Sequence, residues 1–176
     1  MTRLHDWFLG PYAPTAPITE EEAEPLAQVA LSPAATHALR RVLRGGGLWR
    51  GGLLWGHACG GTLHVEAVTP NASLPTLVRP LDVDPAYALG SADAFAAAWS
   101  GLPLDWIGSW IVRPNGQLSS AMDDLAWWDQ GWQRGLFTDR CILLSVGWND
   151  GTLTAVAYVA DGDQAQPLPV IIGRPA

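Results

Sequence analysis

Lysine is missing from this chain, and all ten of its cationic residues are arginine. No internal amine can therefore form a Schiff base or accept an isopeptide bond. Ala, Gly, Pro, Arg and Trp are plentiful, so the codon bias of a GC-rich genome explains the absence most simply. Cysteine is scarce as well. Cys59 and Cys141 cannot build a disulfide framework or a four-Cys zinc site, and their apolar neighbourhoods point to buried free thiols. Charge is sparse at 15% of residues, with a net −7, and the arginines are scattered among 17 acids. Duplex binding needs several clustered cations to replace condensed counterions, so nucleic acid is disfavoured as a partner. Arg40, Arg41 and Arg44, with Arg50 a little beyond, fit a solvated helix end better than a binding patch. No apolar run is long enough for a membrane span, and Met1 to Gly10 lacks a basic stretch followed by an apolar one. A soluble cytoplasmic protein is the expectation.

What the chain does have is apolar residues, 48% of 176, enough for a substantial core in a single domain. Residues 10–19 carry three prolines and read as an extended arm. Thr19 followed by Glu20, Glu21 and Glu22 predicts a short helix near 20–30, with acids set against the helix dipole. Residues 1–32 are thus read as arm and short helix, and 33–176 as the globular domain. Ser32-Pro33 opens a second helix with Ala35, Leu39, Val42 and Leu43 on one face, stopped by Gly45 to Gly47. Strands over 48–57 and 62–68 form a hairpin about a Cys-Gly-Gly turn. Asp84-Pro85 starts a helix to about Trp99, with Leu89, Ala92, Phe95, Ala96 and Trp99 at helical spacing. A strand runs from Leu104 to about Val112, a helix follows Ser120, and three strands close the chain near 139–147, 152–160 and 167–172. The expected class is α/β (α+β) on a mixed sheet.

Three segments carry a resemblance. Gly51-Gly52-Leu53-Leu54-Trp55-Gly56 resembles the Glu-x-Gly-Gly-Leu-Leu-x-Gly strand of the JAB/MPN family of JAMM zinc metallopeptidases. Ile107-Gly108-Ser109-Trp110, with Pro114-x-Gly116 after it, is similar to that family's Gly-x-Trp-His-x-His-Pro-x-Gly. Ser120-Ala121-Met122-Asp123-Asp124-Leu125 looks like the Ser-x-x-Asp-Leu that opens the next helix. The likeness spans roughly 34–172. It implies a mixed sheet flanked by helices in a cytidine-deaminase-like layered architecture, in a degenerate bacterial member of the family.

In that family the two His and the Asp hold zinc, a water fills the fourth position, the Glu is the base and the Ser steadies the oxyanion. Three ligands with one open position make a Lewis acid that lowers the pKa of its water, and a carboxylate beside that water takes the proton. The matching positions here are Trp49 for the Glu and Ile111 and Arg113 for the two His. The loop from Arg113 to Ser120 is one residue shorter than the family's. The Asp is therefore Asp123 with Ser120 in the Ser role, or Asp124 with Ala121 there. Trp takes no proton, Ile offers no lone pair, and an Arg guanidinium repels a cation. It suits instead an ion pair with Asp123 or Asp124. No catalytic residue, metal or cofactor is expected.

His57 and His64 fall on the two hairpin strands and approach each other across the sheet, a pair more often structural than ligating. His37 lies in the basic helix and His5 in the arm. The ten tryptophans stand out. Trp49, Trp55, Trp106 and Trp110 fall on the strands flanking the family's cleft, and Trp127, Trp128 and Trp132 on the helix after it. Core packing is the plain explanation. Trp128 and Trp132 share a helical face while Trp127 points elsewhere, so some are expected to be exposed, as in binding hot spots. Relatives of this kind act as scaffolds and commonly dimerise. The expected role is a non-catalytic domain that binds a protein partner or itself, most plausibly as a homodimer, through Trp49, Trp110, Arg113, Asp123 and Trp128. The alternatives are a JAMM-like zinc isopeptidase or peptidase with a shifted site, and a small-ligand binder in the Trp-lined former cleft.

Overall fold

The computed structural model describes residues 24–71, 79–98 and 104–173. In chain order the elements are β1 (Gln28–Leu31), α1 (Pro33–Leu43), β2 (Arg50–Cys59), β3 (Thr62–Pro70), α2 (Pro85–Ala98), β4 (Asp105–Val112), α3 (Ala121–Trp132), β5 (Ile142–Asn149), β6 (Thr152–Asp161), β7 (Gln164–Leu168) and β8 (Val170–Ile172). The strands form one mixed sheet in the order β7-β6-β5-β4-β2-β3-β1-β8. The class is α+β. Among the described residues no helix is long and apolar enough to cross a membrane.

β7 and β8 are separated in the chain by Pro169 alone, yet they lie at opposite ends of the strand order. The sheet must therefore curl until its edges nearly meet. The one strand predicted over 167–172 divides at Pro169, which has no backbone N–H to give a ladder. Its carbonyl accepts instead from Val29 N at 2.9 Å.

The helix predicted near 20–30 is not found over its described part. Gln28–Leu31 is instead a strand lying parallel to both β3 and β8, with alternate residues buried. Period-two burial between two partners outweighs the acidic run upstream, whose residues 20–22 lie outside the described set. The sheet thus takes in residues ahead of the boundary drawn at 33.

Helices cover both faces. Ala35, Leu39 and Leu43 of α1 pack with Leu54, Val65, Trp110, Leu144 and Val146 on one side. Ala88 and Ala92 of α2 and Trp128 of α3 pack with Trp55, Ile111, Leu143 and Tyr158 on the other. The local signals read correctly at both well-capped helices. Ser32 accepts from Ala35 N at 3.1 Å, with Pro33 in the first turn of α1. Ser120 accepts from Asp123 N at 3.2 Å to open α3. Asp84 does the same for α2 through Ala86 N and Tyr87 N.

The Gly51-Gly52 pair is required by close approach on both faces. A side chain at Gly51 would collide with the Pro80 carbonyl, and one at Gly52 with the Thr69 carbonyl and the Trp110 indole. Cys141 is buried as expected, but Cys59 is exposed. It ends β2 beside Gly60 and Gly61, both at positive φ, so the hairpin tip carries it out of the core.

Candidate functional site

Adjacent residues on β4 point to opposite faces of the sheet, which splits the predicted binding set. Ile111 is fully buried on the face covered by α2 and α3. Trp110 belongs to the core under α1, and its Nε1 donates to the Thr69 carbonyl at 3.0 Å. Trp110 therefore does not share a cleft with Asp123. The same alternation was available in the sequence, where Trp110 stands one residue from Ile111.

The other matched positions do converge, where β4 ends and α3 begins. Arg113 Nη2 meets Asp123 Oδ2 at 3.1 Å, with the side chains 35% and 39% exposed. Of the two partners the sequence left open, Asp123 and not Asp124 makes the pair, and it ties the strand end to the helix start. Trp49, just ahead of β2, packs edge-on against Trp127 of α3, with ring centroids 5.3 Å apart. Ile111 is buried in the core cluster against which Trp49 and Trp127 pack. Ser120 spends its hydroxyl on the α3 cap, and Ala121 has none to offer.

Asp124 turns inward. It is 1% exposed, and Tyr158 donates to its Oδ2 at 3.2 Å. Ser145, across the ladder from Ile111, and Ser119 lie where a hydroxyl favours its ionised form, although neither Asp124 Oδ1 nor Ser145 Oγ has a well-formed hydrogen bond among the described residues. Burial outweighs them and pushes the carboxyl above its ordinary value, with the Asp123 charge adding to the rise. Burial likewise pushes the Tyr158 phenol up to about 12, helped by the neighbouring carboxylate. Ser109 Oγ, on the same face, is buried and without a hydrogen-bond partner among the described residues. Sequence reasoning missed this cluster because its members lie on β4, α3, β5 and β6, joined only by the sheet.

The donor set does not suit zinc. Ile111 and Arg113 provide no lone pair, and the guanidinium already neutralises Asp123. Among the described residues no three His, Cys, Asp or Glu side chains converge on a point where a metal ion would be held. His57 and His64 do meet across the hairpin, stacked with centroids 5.1 Å apart. His37 is exposed, and His5 lies outside the described residues.

The expectation of exposed tryptophans is overturned for the eight that are described. Trp55, Trp106, Trp110 and Trp128 are buried, and Trp49, Trp127, Trp132 and Trp148 are half-buried. Trp7 and Trp99 lie outside the described residues. Trp128 stacks on Phe137 at 4.7 Å and on Trp132 at 6.2 Å, so the two rings four apart shield each other. Trp127 leaves that face as expected, but Trp49 covers it. The large exposed apolar residues of α3 are Met122, at 80%, and Leu125, at 42%.

A separate groove of about 480 Å³ opens under α1, where β2 begins and β3 ends. Val42, Leu48, Trp49, Val68, Pro80 and Trp110 give it apolar walls. It was not legible in the sequence, since its walls come from segments up to seventy residues apart.

No protein-family model matches the chain, and no curated protein does. Among solved structures it is similar to the solution structure of protein DSY2949 from Desulfitobacterium hafniense. The identity is 15% and the TM-score 0.56, over 83% of this chain and 93% of that one. At that identity the likeness concerns the fold alone. The class so defined is an α+β domain on a curled, eight-stranded mixed sheet.

Proposed function

We propose that this chain is a non-catalytic JAB/MPN-like domain that works by binding a second copy of itself, not by hydrolysis. The observation that carries the reading is the Arg113–Asp123 pair over buried Ile111, at the place where the family resemblance would put two His and an Asp on a metal. A cation and an alkyl group there are chemically opposed to zinc binding, while an ion pair keeps the strand end and helix start together without it. Helices on both faces of a mixed sheet support the layered architecture that the resemblance implies.

Support for self-association comes from α3. Met122 and Leu125 stand three apart on its outer side, flanked by exposed Ala121 and Ala126. A two-fold dimer would lay this face against its own copy and bury apolar area at about 25 cal/mol per Å² before the costs of association. Such a face, in place of exposed tryptophan, is the contact to test. Sedimentation and light scattering should give a dimer that Met122→Asp or Leu125→Asp converts to a monomer. A wild-type chain that stays monomeric at every concentration would overturn the proposal.

A further inference from the structure

We infer that the groove under α1 is a binding site for a small amphipathic anion, an acid whose apolar body lies against the tryptophans and whose carboxylate meets arginine. The groove lies mainly under α1, and the Arg113–Asp123 ion pair carries no part of this proposal, although Arg50 also touches the Arg113 carbonyl. Its volume, about 480 Å³, is in the usual range for small-molecule pockets. Half-buried Trp49 and exposed Leu48 give it open apolar surface, and Val42, Val68 and an edge of buried Trp110 complete the apolar lining.

Charge decides what kind of ligand fits. The chain carries a net −7, yet no described residue lining this groove is acidic, and Arg50 and Arg79 both line it. Neither arginine makes an ion pair among the described residues. Arg50 is half-buried, and its guanidinium donates to two backbone carbonyls, Val42 O at the end of α1 and Arg113 O at 3.4 Å. Its Nε is buried without a partner among the described residues, and burial lowers its pKa. A cation partly withdrawn from water with neutral acceptors alone is electrostatically incomplete, and an anion in the groove would complete it. A guanidinium is also well shaped for a carboxylate.

Some of the described lining is tied together by hydrogen bonds. Asn71 Nδ2 donates to Pro80 O at 3.0 Å, and Asp84 N to Asn71 O at 2.9 Å. Trp110 is held by its bond to Thr69 O.

The test uses octanoate as the anionic probe and octanol as its uncharged counterpart, read by titration calorimetry and by tryptophan emission. Octanoate is expected to saturate one site per chain and to bind about tenfold more tightly than octanol, as one charge-assisted contact allows. Arg79→Ala and Arg50→Met should each erase most of that preference while leaving octanol unchanged. Ala38→Trp, which fills the groove from α1, should abolish both. Because Arg50 also holds the end of α1, the Arg79 and Ala38 variants decide the matter if Arg50→Met does not fold. Equal affinity for the two probes, octanoate binding that survives Ala38→Trp, or no saturable binding would each overturn the inference. None of these outcomes depends on zinc content or on dimerisation.

Discussion

Replacing Arg113 with Met and Asp123 with Asn, singly and together, isolates the ion pair between the end of β4 and the start of α3. Its contact is short, 3.1 Å, but both side chains are more than a third exposed, at 35% and 39%. Water screens such a pair, so the coupling energy should be about 0.2–1 kcal/mol at low salt. The two single changes should differ. Arg113→Met loses the pair and keeps the aliphatic stem, a cost of about 0.2–1 kcal/mol. Asp123→Asn also loses a negative charge in the first turn of α3, which adds about 0.3–1 kcal/mol. Urea unfolding of all four proteins gives the cycle, repeated in high salt, where the coupling should shrink. A zinc ligand would behave otherwise, since losing it forfeits binding energy that a chelator also removes. Coupling of zero at low salt, or an Asp123→Asn loss that a chelator reproduces in the wild type, would refute the assignment of this contact.

Two further outcomes follow from the same region. The folded-state pKa of Asp124 is raised, so the native state holds its proton more tightly than the unfolded chain does. Its contribution to stability is full below the unfolded carboxyl value and is lost as pH rises through the folded one. Asp124→Asn should therefore become progressively more stable than wild type from acid toward neutral pH, as measured by urea midpoints. A constant or reversed difference would sink that reading. The paired substitution Ile111→His and Arg113→His places two imidazoles at and just past the end of β4, at the positions the proposed resemblance gives to His, with Asp123 beside the second. It should cost about 1–3 kcal/mol without metal, because position 111 is fully buried. The variant should then gain one zinc per chain by calorimetry, and a folded double variant that binds none would remove the geometric basis of the resemblance.

Helix caps were the most legible part of the sequence, because Ser32-Pro33 and Ser120 act through bonds to their own next few residues. The hairpin and β4 were legible for a similar reason, as their apolar runs sit between turn residues. β1 was not. Four residues cannot announce a strand, and this one is defined by neighbours on β3 and β8 that lie far along the chain. The division at Pro169 likewise depends on the curl of the sheet. At the site, the meeting of Arg113 with Asp123 followed from charge and spacing, but the placing of Trp110 on the other face was overlooked despite its period-two signal. The fate of the tryptophans needed tertiary partners. Trp49 reaches Trp127 across seventy-eight residues, and no local pattern records that contact.

Elemental analysis of the wild-type protein, purified without chelator, tests the central claim most directly. No stoichiometric zinc is expected, because Ile111 and Arg113, at the positions the proposed resemblance gives to two His, offer no lone pair. One tightly held zinc per chain, lost on Asp123→Ala or Asp124→Ala, would contradict it.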